Sequence, residues 1–144
     1  MLRKDVLLGI LSAADGQPFT PVQIQKATFL VSRNIPDIFD QDSRFNFLPY
    51  DYGPFDNFVY KEIDILMHEN LASIFKSISG NWNEYAATSQ GVLLGKNLLH
   101  IMNDRDRNYI ERIVHWVRSQ TFSQLVKSIY DAYPEMKKNS IFQG

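Results

Sequence analysis

Apolar residues recur every three or four positions through most of the chain, the spacing typical of amphipathic helices. Two of the six segments with this spacing open on a capping box, Thr20 with Gln23 and Thr121 with Gln124. A helix is predicted up to residue 14, followed by helices over 21–33, 54–70, 89–102, from 103 or 104 onward, and over 122–133.

Two shorter stretches indicate β-structure. Phe45–Phe47 alternates as a short strand does, and residues 71–78 and 82–86 flank a Ser-Gly-Asn turn, which predicts a β-hairpin. The order of helix, helix, short strand, helix, hairpin and helix is that of a winged helix-turn-helix. We therefore predict one α+β, mostly helical, winged-helix-like domain over residues 1–134, with extra C-terminal helices and a tail over 135–144. The short strand is expected to pair with the hairpin at Ile74–Phe75 and Tyr85–Ala86.

The apolar stripes predict which face of each helix meets the core. In the third helix, which is predicted to start at Pro54, the stripe comprises Phe55, Val59, Ile63 and Leu66. In the fourth helix the stripe comprises Leu94, Leu98 and Ile101. These faces are expected to be buried.

Composition narrows the functional classes. The 144 residues include no cysteine, which excludes disulfides, thiolate catalysis and cysteine metal sites. The formal net charge of −1 does not suggest a nucleic-acid or membrane surface. The apolar run at residues 6–11 is short for a signal peptide, and no run approaches the length of a membrane span. A soluble, cytoplasmic protein with no membrane association is expected.

No catalytic site, metal site or cofactor motif is predicted. The histidines stand singly on three predicted helices, without metal-ligand spacing, at His68, His100 and His115. Residues 91–97 resemble a phosphate-binding loop but are one residue short between the glycines and lack the Ser or Thr that follows the lysine. An acidic cluster at residues 37–42 lacks the glycine and the distal glutamate of a calcium loop. We expect a protein that is not an enzyme, and a hydrolase stays a third alternative because Asp, Glu, His and Tyr are all present.

Aromatic residues are concentrated before and within the third predicted helix. Eight of them fall within residues 39–60. Phe47 and Phe55 are expected in the core, whereas partly buried aromatic rings are typical of protein interfaces. The predicted partner-binding surface comprises Tyr50, Asp51, Tyr52, Gly53, Pro54 and Phe58.

Four stretches together resemble a bacterial protein family. They are Ile24–Leu30, the segment Phe45-x-Phe47-x-x-Tyr50-x-Tyr52-Gly53-Pro54-Phe55, Thr88-x-x-Gly91, and Tyr130-x-x-Tyr133-Pro134-Glu135. The chain resembles the Panacea-domain (SocA-like) antitoxins and the related YwgA-like proteins, although Phe29 stands where that family commonly has a tyrosine. The resemblance implies a small non-enzymatic α+β protein that acts as an antitoxin or as an accessory part of a phage-defence locus. It implies no catalytic residues.

The predicted function is therefore a protein-interaction module, antitoxin-like or phage-defence-associated, whose partner is a protein such as a toxin or a defence effector encoded nearby. The alternative is a winged-helix transcriptional regulator that binds DNA as a dimer. The third helix disfavours this alternative because its charges would repel phosphate. The charged residues of that helix are Asp56, Lys61, Glu62, Asp64 and Glu69.

Overall fold

Six α-helices and two separate two-stranded antiparallel sheets make up the computed structural model, which describes all residues from Met1 to Gly144. The predicted α+β, mostly helical class is confirmed. The elements are α1 (Arg3–Ser12), α2 (Pro21–Asn34), β1 (Leu48–Tyr50), β2 (Gly53–Phe55), α3 (Phe58–His68), β3 (Ala72–Lys76), β4 (Asn83–Ala87), α4 (Ser89–Ile101), α5 (Asp104–Ser119) and α6 (Phe122–Ala132), with 3₁₀ turns at Pro36–Ile38 and Pro134–Lys137. No helix combines the length and the apolar character needed to cross a bilayer.

The first helix lies at the centre of the core. Residues 6–12 are all buried, because α1 packs against α3, α4 and β4. A helix enclosed in this way needs apolar residues all round rather than one stripe, which explains the continuous run at residues 6–11. On the other side α2 packs against α5, and α6 contacts both α2 and β2.

The β3–β4 hairpin forms where it was predicted, but its third strand is not the expected one. Phe19, between α1 and α2, forms an antiparallel bridge with Tyr85. Each residue donates its backbone N–H to the carbonyl oxygen of the other, with N to O distances of 2.8 and 3.0 Å. The succession of α1, Phe19, α2, α3 and the hairpin is the element order of a winged helix, with β3–β4 as the wing. The predicted strand at Phe45–Phe47 does not form, since β1 begins at Leu48, and its predicted pairing with this hairpin is wrong.

A second hairpin precedes α3. Strand β1 pairs with β2, with Leu48 opposite Phe55 and Tyr50 opposite Gly53. The prediction that the third helix begins at Pro54 is therefore wrong, because Pro54 lies in β2. The helix begins four residues later, where the carboxylate of Asp56 accepts the N–H of Phe58.

The face of α4 that meets the core is the predicted one only in part, since Leu98 is half-buried and packs against the core but the other two residues of the stripe do not. Leu94 and Ile101 are 44% and 71% exposed. The buried residues of α4 are Gly91, Gly95 and Leu99. The two glycines allow close approach: a Cβ on Gly91 would lie 1.9 Å from the carbonyl oxygen of Leu71, and one on Gly95 would lie 2.4 Å from the Cβ of Ser12. Close backbone packing, rather than the leucine stripe, therefore decides which face of α4 is buried.

The last ten residues lie against the β1–β2 hairpin. Met136 is buried, and the N–H of Ile141 donates to the carbonyl oxygen of Asp51 at 2.9 Å. The ring of Phe142 lies beside those of Phe122 and Tyr130, with centroid distances of 6.1 and 6.2 Å. The turn between β1 and β2 is thus packed against C-terminal residues that are distant from it in sequence.

Candidate functional site

A groove of about 750 Å³ opens between the start of α2, the β1–β2 hairpin, the wing and the start of α6. We call it the aromatic groove, because six of its lining residues are aromatic: Tyr50, Tyr52, Phe55, Tyr60, Trp82 and Phe122. Seven other lining residues carry polar or charged side chains: Thr20, Gln23, Gln25, Lys26, Asp51, Gln120 and Thr121. A concave surface of this size that combines aromatic walls with polar groups is a common form of small-molecule site.

The hairpin turn presents two tyrosines that are exposed and yet held in place. Tyr50 stacks on Phe55 with 5.1 Å between ring centroids, and Tyr52 meets Phe122 edge to face at 5.0 Å. They remain 54% and 40% exposed. Gly53 closes the turn at φ 103°, a conformation that residues with a side chain rarely adopt.

The structure brings together most, but not all, of the predicted partner-binding residues. Tyr50, Asp51, Tyr52 and Gly53 line the aromatic groove. Pro54 is buried, and its carbonyl oxygen accepts a hydrogen bond from Lys26 Nζ, at the base of the groove.

Phe58 lies apart from these residues. It is 43% exposed at the start of α3 and does not line the groove. Its ring contacts two cations instead, the guanidinium of Arg3 at 4.5 Å and the ammonium of Lys61 at 4.8 Å from the ring centroid. Such contacts favour one orientation of the ring, so Phe58 is a second exposed and ordered aromatic residue, outside the groove.

The two rings expected in the core are only partly buried. Phe47 meets Phe29 edge to face at 5.5 Å and packs against the core. Phe55, in contrast, is part of the groove wall between Tyr50 and Tyr60.

A lysine that the sequence did not single out lies at the base of the aromatic groove. Lys26, on α2, is 3% exposed, and its Nζ donates to the carbonyl oxygen of Pro54 at 3.0 Å. Gly53 packs against this lysine, since a Cβ there would lie 3.5 Å from Lys26 Cε, an ordinary van der Waals contact. Burial without a carboxylate partner lowers the pKa of Lys26 to about 7, because it disfavours the charged ammonium.

The residue before Lys26 fixes the hairpin to α2. The side-chain amide of Gln25 donates to the carbonyl oxygen of Asp56, and the N–H of Asp56 donates back to Gln25 Oε1, both at 3.0 Å. The Asp56 carboxylate also accepts the N–H of Asn46 at 2.7 Å. These bonds connect α2 to the residue that follows β2 and to the segment that precedes β1.

Tyr60 closes the side of the groove nearest the wing. Its ring stacks on that of Tyr85 with 5.4 Å between centroids. Burial, and secondarily the neighbouring Tyr85, raises the pKa of Tyr60 to about 12, so its hydroxyl stays protonated at neutral pH. The groove therefore offers the protonated phenol of Tyr60, flat aromatic walls and one buried amine. These groups can hold a ligand.

The chain matches no protein-family model and no curated protein sequence.

Proposed function

We propose that this protein is a non-enzymatic, cytoplasmic protein-interaction module that binds a partner protein through the tyrosines of the β1–β2 hairpin. The observation that carries the proposal is that Tyr50 and Tyr52 are half exposed although each is fixed by a neighbouring ring. Aromatic rings that are already ordered lose little conformational entropy on binding, which is why they are frequent in interfaces.

The partner is proposed to be a toxin or a defence effector encoded nearby, as expected of an antitoxin-like or phage-defence-associated subunit. The resemblance to the Panacea-domain and YwgA-like proteins supports this part of the proposal. The contact surface includes the four groove residues of the turn, and Phe58 extends it towards α3.

The charges of α3 favour a protein partner over DNA. In a winged helix this helix would enter the major groove, where its outward side chains meet phosphates and bases. The exposed residues of α3 include Lys61, Asp64 and Ile65. The nearby cation Arg3 is already engaged with Glu62 at 3.2 Å. Little positive charge is therefore free for phosphate contacts.

The test is co-expression with the product of the neighbouring gene, followed by measurement of the affinity of the purified complex. Tyr52→Ala is expected to weaken the complex by about 2 kcal/mol or more, the threshold of an interface hot spot. The melting temperature of the free protein is expected to stay nearly unchanged, because the ring is partly exposed. His115→Ala, on an exposed position of α5, serves as the matched control.

Phe58→Ala, measured in the same way, tests whether the contact surface extends to α3. Unchanged affinity in both variants would contradict the proposed surface, and so would their unfolding, since the rings would then be structural. Specific binding to the DNA upstream of its own gene that weakens steeply with salt would favour the regulator instead.

A further inference from the structure

The ammonium of Lys26 is a buried cation with unused hydrogen-bonding capacity. An ammonium has three donors, and in this protein only the carbonyl oxygen of Pro54 accepts from it. It forms no ion pair, and its environment is desolvated. A buried charge is costly unless an opposite charge compensates it. The site is therefore complementary to an anionic group that approaches through the aromatic groove.

The space above Lys26 has the size and lining of a small-molecule site. The volume of about 750 Å³ lies within the range of roughly 300–1,000 Å³ typical of ligand pockets. Six aromatic rings contribute to its walls, beside polar side chains such as Gln23 and Gln120, and such rings favour a planar apolar body. Lys26 itself lines the groove, beside Gly53.

The remaining charged group in the groove restricts the ligand. Asp51 lines the groove and pairs with no cation. A ligand with several negative charges would be repelled by it, whereas a single carboxylate directed at Lys26 would not need to approach it. The size, lining and charge of the groove together select a monoanion with an aromatic body.

We propose that the aromatic groove binds small aromatic carboxylates, with the carboxylate received by Lys26 Nζ and the aromatic body held between Tyr52 and Tyr60. This inference goes beyond the proposed protein-interaction function and does not depend on it. A ligand bound in this way would share Tyr50 and Tyr52 with the partner protein. Since the lysine is about half protonated at a pH near its lowered pKa of about 7, a bound carboxylate would stabilise its protonated form.

The experiment compares two probes of the same shape and different charge, phenylpropionate and phenylpropionamide. Each is titrated into the full ¹⁵N-labelled chain at slightly acidic pH and followed by the backbone resonances. The carboxylate is expected to bind at least about tenfold more tightly than the amide, a difference of about 1.4 kcal/mol, with shifts concentrated at Tyr52, Gly53 and Tyr60. Lys26→Met is expected to abolish this difference. Lys61→Met, which removes an exposed lysine outside the groove, is expected to retain it.

A second measurement on the wild-type chain covers the case in which Lys26→Met does not fold. With ¹³C-labelled lysine, the Cε resonance of Lys26 is expected to shift on addition of phenylpropionate and to stay unmoved on addition of phenylpropionamide. The proposal is overturned if the two probes bind equally, if folded Lys26→Met keeps the preference, or if the Lys26 resonance does not respond. Loss of partner binding in the Tyr52 variant has no bearing on this outcome, so the two proposals fail separately.

Discussion

The side-chain amide of Gln25 and the backbone of Asp56 exchange two hydrogen bonds across 31 residues of sequence. The amide thereby acts as a strand partner would, donating to one backbone carbonyl and accepting from the N–H of the same residue. This pair holds the end of β2 against α2, and with it the turn that carries the exposed tyrosines.

Replacing Gln25 with alanine is expected to lower the free energy of unfolding by about 2–6 kcal/mol, since two buried backbone groups lose their partners at roughly 1–3 kcal/mol each. Urea denaturation at neutral pH measures this loss. Gln90→Ala, at an exposed position of α4, is the control and is expected to change stability by less than about 0.5 kcal/mol. Equal effects of the two substitutions would contradict the role given to Gln25.

Lys26 is expected to make stability depend on pH. Its pKa is about 7 in the folded protein and about 10.5 in the unfolded chain. Between these values the unfolded chain binds more protons, so the free energy of unfolding rises with pH, by up to about 1.4 kcal/mol per unit. Below pH 7 the lysine is protonated in both states and the cost of burying its charge is fully present.

Lys26→Met removes this ionisation, and the difference between the two proteins isolates it. The variant is expected to gain most over the wild type below pH 7, and its advantage is expected to shrink towards pH 10.5. Measurements should stop near pH 10, because Tyr60 has a raised pKa of about 12 and its contribution falls as pH rises above 10.0. Parallel stability curves for the two proteins would show that the lysine is not desolvated as described.

Gly91→Ala is expected to destabilise the protein by several kcal/mol, opposite in sign to the usual gain of about 1 kcal/mol for this change inside a helix. The reason is that the new methyl group would clash with the backbone carbonyl oxygen of Leu71. A backbone oxygen cannot move aside by a side-chain rotation. Thermal denaturation measures the loss. Asn97→Ala, on the exposed side of the same helix, should stabilise slightly. A stabilised Gly91→Ala protein would show that α4 does not approach Leu71 so closely.

Substitutions at two nearby apolar residues of α4 are expected to change the free energy of unfolding by very different amounts. Leu99 is 2% exposed, so Leu99→Ala should cost about 2–5 kcal/mol. Ile101 is 71% exposed, and Ile101→Ser should stay within about 0.5 kcal/mol of the wild type. Chemical denaturation of the two variants distinguishes the observed orientation of the helix from the one that its leucine stripe predicts. A large loss at Ile101 together with a small one at Leu99 would reverse the assignment.

Local signals in the sequence were sufficient where the structure is local. The capping box of Thr20 and Gln23 forms with both hydrogen bonds present, and so does that of Thr121 and Gln124. These interactions join residues three positions apart, and any chain that folds into these helices will make them. The wing was predictable for the same reason, because its strands are adjacent in sequence.

The remaining features depend on contacts between distant residues. Pro54 has the local signature of a first helical residue, yet it lies in β2 opposite Pro49. Lysine is usually an exposed residue, but Lys26 is buried where the β1–β2 hairpin lies over α2. Periodicity was wrong for Leu94 and Ile101 of α4, because two glycines bring that helix closer to its neighbours than leucine side chains would allow.

Trp82 belongs to the turn of the wing, but its ring is one wall of the aromatic groove. The ring is 41% exposed and lies over Gly80, so its surroundings change from water to a bound molecule when the groove fills. The other tryptophan of the chain, Trp116, lies on α5 and packs against the core. The protein thus contains its own optical reporter: the indole emission of Trp82 should follow occupancy of the groove, while that of Trp116 supplies a constant background.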